Sequence, residues 1–210
     1  MAVITISRQS GSEGNEITRH LCERLGYNYF DKKMMTQLAQ ELGLAPDQVV
    51  DLSADQYQVK SWLERAFGDF QIPFGDPGTW VLSAQQDAQE ALSIEFVRKM
   101  ICSAYEHGNV IIIGRGGQVV LAGKPKVLHV RIIAPLETRI KRWQAREGYV
   151  YEDARKIVLK RDHAHIDFVR RYFNADLADP SLYDLVINTE KFTTTQAVEL
   201  IARALDLMGA

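Results

Sequence analysis

Residues 3–17 constrain this chain most. Val3-Ile4-Thr5-Ile6-Ser7 is mostly apolar and β-branched, the following residues through Asn15 are mostly small or polar, and Ile17, Leu21, Cys22 and Leu25 recur at helical spacing. A strand, a small-residue turn and a helix are the layout of a phosphate-binding P-loop, whose pattern is G-x-x-x-x-G-K-[ST]. Here Arg8 stands at the first Gly, Gly14 at the Lys and Asn15 at the Ser/Thr. Gly11, Ser12 and Gly14 allow successive backbone N–H groups to converge as an anion nest. A helix starting near Gly14 would add its unsatisfied N–H groups and the positive end of its dipole. The same residues also suit an ordinary strand-to-helix turn. The shape of an anion site is present, and its principal cation is missing.

Three further β-type runs follow: Val110–Ile113, Val127–Ile133 and Asp184–Ile187. Near-continuous Val/Ile/Leu runs separated by helical patterns predict an α/β fold with a central parallel sheet covered on both faces. One intervening helix carries Leu92, Phe96, Met100 and Ile101 on one side and ends near His107. The closing helix carries Ala197, Val198, Ile201 and Leu205, with Thr193 and Gln196 set as a capping box. A length of 210 residues with 46% hydrophobic residues fits one domain over 1–210. The net charge of −2 gives no general case for nucleic-acid or membrane binding, and no apolar run approaches the roughly 20 residues of a membrane span. With no room for a signal peptide before the first strand, and Cys22 and Cys102 read as core thiols, the expected compartment is the cytoplasm.

Two regions break the regular alternation. Residues 44–82 hold Trp62, Phe67, Phe70, Phe74 and Trp80 among prolines and glycines. They read as a helical excursion with its own aromatic mini-core, or as a flap closing on a base. Residues 136–173 are mostly basic and read as a helical hairpin. Glu137–Lys141 and Thr138–Arg142 lie one turn apart, as do Arg161 and His165. Such a hairpin is either a charged, solvated surface or a lid that brings guanidinium groups to phosphates.

Taken together, these residues resemble the cytidylate kinase-like family, a branch of the nucleoside monophosphate kinases. The resemblance rests on Ile4–Ser12, on Leu25–Asp31, on Ile112-Ile113-Gly114-Arg115-Gly116, on Lys160-Arg161-Asp162 and on Asp179–Thr189. It implies a P-loop kinase-like parallel sheet flanked by helices, with 136–173 as lid and 44–82 as the nucleoside-monophosphate-side insertion. It implies phosphoryl transfer from ATP, with Mg²⁺, to CMP or a similar pyrimidine monophosphate, and a monomer or homodimer. Positioning and charge neutralisation would supply most of that catalysis. By this resemblance Arg8, Ser10, Gly11, Ser12, Gly14 and Asn15 face the donor phosphates. Gly114 and Arg115 hold the acceptor phosphate, unless Arg115 forms only a surface ion pair. Asp31 orders the acceptor site or caps a helix over 32–42. Arg142 serves the donor nucleotide, and Arg161, Asp162, His165 and Arg170 form the catalytic set on the lid. Asp162 would hold an arginine or a metal-bound water.

Three departures from the family pattern stand out. The P-loop Lys is absent, and the basic residue that kinase-like members often carry just after the Gly pair is Asn15 here, with Glu13 adding negative charge beside the nest. Where cytidylate kinases have Gly-Arg-Asp, this chain has Gly114-Arg115-Gly116. An Arg often follows the lid Asp by three residues, and here it is His165, which lacks a permanent charge. Arg8, Arg19, Lys32 and Lys33 are the candidates to replace the lost cation. Two other readings stay open: a nucleotide sensor or interaction module without chemistry, and a P-loop kinase for another small acceptor.

Overall fold

The computed structural model describes residues 1–30 and 86–209. The segment 44–82, Asp31, Lys32 and Lys33 lie outside the described residues. Among those described, five strands form one parallel sheet: β1 (Val3–Arg8), β2 (Asn28–Phe30), β3 (Val110–Ile113), β4 (Val127–Ile133) and β5 (Leu185–Asn188). Their order is β2-β3-β1-β4-β5. The expected runs over 110–113 and 127–133 coincide with β3 and β4. The last strand begins one residue late, because Asp184 uses its carboxylate to accept the His129 backbone N–H at 2.7 Å.

Residue parity along the strands sorts the core into two layers. Ile4, Ile6, Ile111, Ile113, Leu128, Val130 and Ile132 face α1 (Gly14–Leu25) and the closing helix α6 (Thr194–Leu207). Val3, Val110, Ile112 and Val127 face α2 (Gln86–His107), where Phe96, Val97, Met100 and Ile101 are buried. Both layers are apolar packing, the dominant stabilising contribution in a domain of this size. The second face turns polar toward the C-terminal strand ends. Thr5 Oγ1 and His129 Nδ1 lie 2.7 Å apart. Arg131 Nη1 donates to Ser7 Oγ at 2.9 Å and to Tyr183 Oη at 3.0 Å. Burial holds His129 below the usual imidazole range, with Asp184 pulling the other way.

The chain leaves β1 into α1 on one face, and leaves β3 into the short helix α3 (Gly117–Val120) on the other. Ligands of open α/β sheets bind where such connections diverge, beyond the carboxyl ends of the strands. Residues 136–173 form two helices, α4 (Leu136–Glu147) and α5 (Tyr151–Phe173), joined by a turn at Gly148. Ile140 and Trp143 of α4 pack on Ala154 and Val158 of α5. The far end of α5 packs Val169 and Phe173 with Leu177, against Val119 and Val120 of α3.

Several local expectations need correction. Thr138 donates to Glu190 and Arg142 reaches Glu13 and Thr189, so the one-turn pair between them does not form. Glu137 instead accepts the Tyr151 hydroxyl at 2.7 Å. Cys22 and Cys102 are free but only half-buried. Burial, then Glu23, pushes the Cys22 thiol up to about 12, which keeps it unreactive. The capping box of α6 is present, with Thr193 and Gln196 satisfying each other's backbone N–H. No described helix is long and apolar enough to cross a membrane.

Candidate functional site

The loop after β1, the loop after β3 and the α4–α5 hairpin enclose a cavity of about 490 Å³. Its floor is Arg8–Gly11 and Gly114–Arg115, one wall is Glu13–Glu16, and the opposite wall is Arg142, Trp143, Arg146, Arg161, Asp162, His165 and Phe168.

Arg8 enters this cavity because Gly14 has no side chain. A Cβ on Gly14 would stand 2.6 Å from Arg8 Cβ and 2.8 Å from its Cγ, which is closer than any real contact. Arg8 Nε then donates to Asn15 Oδ1 at 3.0 Å. The two residues that replace the P-loop Lys and Ser/Thr therefore make room for, and anchor, a guanidinium from the strand end. Arg19 pairs with Glu23 and is exposed. Of the four substitute cations expected, Arg8 lines the cavity and Arg19 does not; Lys32 and Lys33 lie outside the described residues.

The loop's own amides are partly committed. Ser12 N–H donates back to Gln9 O, and Ser12 Oγ does the same at 2.8 Å; Ser12 is fully buried and outside the cavity lining. The expected convergence of Gly11, Ser12 and Gly14 amides thus loses its middle member. Ser10 N–H donates to Asp162 Oδ1 at 2.8 Å. The positive φ angles of the turn fall on Gly11 (81°) and Glu13 (64°). Glu13 therefore holds a left-handed conformation that ordinarily favours glycine.

The hairpin supplies what the loop lacks. Arg139, buried to 6% side-chain exposure, bridges Asp162 Oδ2 at 2.5 Å while donating to Ser10 O at 3.1 Å and Ala134 O at 2.9 Å. Arg142 pairs with Glu13 at 3.1 Å, and donates to Thr189 Oγ1 at 2.9 Å and Thr189 O at 2.7 Å. Trp143 Nε1 donates to Ser10 Oγ at 3.2 Å. The guanidinium carbons of Arg146 and Arg161 lie 4.4 and 4.6 Å from the Trp143 ring centre. These contacts fasten α4 and α5 onto the loop.

The second loop carries Arg115, buried to 9% exposure, with φ 55° and its guanidinium 5.2 Å from the Phe168 ring centre. Gly116 is explained by the hairpin. A Cβ there would lie 2.6 Å from Phe173 Cε2, so no acidic side chain fits while Phe173 occupies that space. His165 lies between the two loops. Burial, then Arg8, Arg131 and Arg115, lower its pKa to about 3, so the ring is neutral at pH 7.

The structure thus gathers Arg8, Ser10, Gly11, Gly14, Asn15, Gly114, Arg115, Arg142, Arg161, Asp162 and His165 around one cavity. Arg170 is exposed on α5 outside the lining, and Asp31 lies outside the described residues. Sequence reasoning gave no role to Arg139, Trp143, Thr189 or Arg131. Arg131 had a legible signal: it follows His129 by two residues in a strand, which puts both on one face. Trp143 lies among lid arginines at one-turn spacings, but nothing local announced its bond to Ser10.

The cytidylate kinase-like family matches residues 3–191. A cytidylate kinase from Methanosarcina mazei is 30% identical over 126 residues, 60% of this chain and 69% of that one. One from Ignicoccus hospitalis is 27% identical over 206 residues, 98% of this chain and 99% of that one. The shikimate kinase of Bacteroides thetaiotaomicron shares the fold, with a TM-score of 0.52 at 10% identity over 98% of each chain. The chain belongs to the cytidylate kinase-like family, with the fold of the P-loop kinases and the character of a nucleotide kinase.

Proposed function

We propose that this protein transfers the γ-phosphoryl group of ATP to CMP or a similar pyrimidine monophosphate, using a phosphate loop whose lost lysine is replaced by Arg8. The observation that carries this is the convergence of arginines from separate elements on one cavity: Arg8 from β1, Arg115 after β3, Arg142 and Arg146 from α4, and Arg161 from α5. In the transfer an oxygen of the acceptor α-phosphate bonds the γ-phosphorus while its bond to the departing ADP breaks. The negative charge of that exchange needs fixed cations more than it needs acid–base groups. Arg115 would grip the acceptor phosphate bidentately from its buried, Phe168-stacked position. Arg8 would meet the donor phosphates beside the α1 N-terminus. Arg142 and Arg161 would close over the donor from the hairpin. Asp162 acts by holding Arg139 and the Ser10 amide in place.

The family implies ATP, and with it Mg²⁺, which is bound chiefly by phosphates and one or two protein oxygens. No cluster of three or more His, Cys, Asp or Glu is gathered for a metal among the described residues. Asn15, at the Ser/Thr position, spends its Oδ1 on Arg8 Nε, which leaves Glu16 beside it as the oxygen donor bordering the cavity that would meet an ion arriving with the nucleotide. Such an ion would neutralise phosphate charge.

The test is ADP formation with CMP, dCMP, UMP and AMP as acceptors. Turnover of at least one pyrimidine monophosphate is expected, with kcat/KM falling on the order of a thousandfold in Arg115→Ala, as for loss of a charge-stabilising donor. Turnover of none above the level of that variant would overturn the reading. One observation favours a second reading, a nucleotide sensor: carboxylates of Glu13 and Asp162 already engage the cations and an amide of the phosphate site. Calorimetric binding of ATP or CMP without turnover would support it.

A further inference from the structure

We propose that His165 makes anion binding proton-linked: a phosphoryl group seated over Gly114, between Arg8 and Arg115, is bound together with one proton shared between a phosphoryl oxygen and His165 Nε2. This rests on the reading that the cavity takes a phosphorylated ligand.

The geometry begins with an orphan. His165 Nε2 is sealed from solvent and has no hydrogen-bond partner among the described residues. The ring is hydrogen-bonded to the backbone of Arg8. Since Nε2 has no partner, we assign that contact to Nδ1, whose N–H a backbone carbonyl would take, leaving Nε2 of the neutral ring as a bare acceptor. Gly114, lacking a Cβ, lets Arg8 close over this point, and a phosphoryl oxygen would reach Nε2 as that flexible guanidinium gives way. An atom at its missing Cβ position would stand 3.2 Å from Arg8 Nη1 and 4.0 Å from His165 Nε2. Arg115, the next residue, lines the same cavity.

Charged groups surround the ring from every side. Arg8 of β1, Arg115 after β3 and Arg131 of β4 all act on it as positive charges. The nearest carboxylate on its own helix, Asp162, is spent on Arg139 and the Ser10 amide, and Arg161 is stacked on Trp143. On the α1 side Glu13 is paired with Arg142, and Glu16 borders the cavity. Burial first, and then these three guanidinium groups, keep the ring uncharged.

A dianionic phosphoryl group changes both terms. It neutralises the guanidinium field that adds to burial in disfavouring the proton, and it brings only lone pairs to face the lone pair of Nε2. Two acceptors cannot meet without a proton between them. That proton comes from solvent, and no bond other than its own N–H or O–H is made. An arginine at position 165 would bind the same anion with no such requirement. A neutral His therefore makes affinity fall as pH rises above the phosphoryl group's second pKa of roughly 6, by about tenfold per unit while the bound proton is retained.

Calorimetry tests this on the full chain, with CMP and with inorganic phosphate, from pH 6.5 to 8.5 in buffers of different ionisation heat. Wild type should take up about one proton at pH 8 and weaken by about tenfold per pH unit. H165Q offers an N–H at every pH, and should bind with little proton uptake and a flat profile. Binding without uptake in wild type, or undiminished uptake in H165Q, overturns the proposal. If CMP fails and inorganic phosphate binds with proton uptake, the nucleotide reading falls and this inference stands. If CMP binds with no uptake, the reverse holds, and if neither binds both fall. Nitrogen shifts of the His165 ring, moving from neutral to imidazolium on ligand addition, report the same proton without any variant.

Discussion

The loop after β1 and the helical hairpin above it contribute charge unequally to the candidate site. The loop offers a left-handed turn and the start of α1, yet within residues 8–15 it holds one cation, Arg8, and one opposing charge, Glu13. The hairpin holds Arg139, Arg142, Arg146 and Arg161 against two carboxylates of its own, Asp162 on Arg139 and Glu147 on Arg146. It also bonds the loop directly, through Asp162 to Ser10 N–H, Arg139 to Ser10 O and Trp143 to Ser10 Oγ. A phosphate loop normally carries its own lysine and relies on a mobile lid for the rest. Here the charge resides mainly in the hairpin, and the loop keeps chiefly the backbone path. On the proposed function, the lesson is that an anion site can persist as a geometry with its charges supplied by neighbouring elements.

If the hairpin holds the loop, cutting the bond between them should be the most damaging stability change. Asp162→Ala leaves the buried Arg139 guanidinium without a counter-charge and Ser10 N–H without an acceptor. Breaking a buried pair from one side costs about 3 kcal/mol, which lowers Tm by roughly 6–12 °C in a chain of this size. Asp162→Ala combined with Arg139→Met should recover much of that loss, because the orphaned charge goes with its partner. Thermal unfolding of the three variants measures it. A Tm change of about 1 °C in the single variant would mean that the hairpin merely rests on the loop.

The hairpin also reaches the second loop, through Phe173 against Gly116. Gly116→Ala places a Cβ into the Phe173 ring at a residue with φ 72°. Overpacking of this kind costs about 1–3 kcal/mol. The loss should show in chemical denaturation and shrink when Phe173→Leu is added. An undiminished loss in the double variant would trace the cost to the backbone angle instead, and would detach this loop from the hairpin's influence.

What could be read from the chain follows from the range of the forces involved. The strands Val110–Ile113 and Val127–Ile133 were legible to the residue, because continuous burial on both faces leaves a continuous apolar run. The Thr193–Gln196 capping box was legible because both partners lie within four residues. The candidate residues Arg8, Arg115, Arg161 and Asp162 were legible through motif position. What Asp162 touches was not, since Ser10 lies 152 residues away and the bond depends on how α5 packs. Gly116 looked like a lost acidic contact, and only the Phe173 ring shows why glycine is needed there. Gly14 looked like a lost lysine, and only the course of Arg8 shows what it admits.

The mildest test addresses the one charge in the loop that opposes the proposed phosphate binding. Glu13→Gly removes a side chain from a left-handed residue, relieving about 1 kcal/mol, and gives up an ion pair with Arg142 worth at most about that. Both Glu13 and Arg142 are partly exposed, at 32% and 25%, so solvent screening keeps the pair weak. Stability should therefore change by less than about 1 kcal/mol. Affinity should respond more, because a carboxylate leaves the proposed phosphate site and Arg142 loses its competing partner. A gain of roughly fivefold for ADP, measured by calorimetry and fading at high salt, corresponds to about 1 kcal/mol of partly screened repulsion. Weaker ADP binding would reverse the assignment: Glu13 would then be the anchor that holds Arg142 in place, and the loop would depend on the hairpin even through its own misplaced charge.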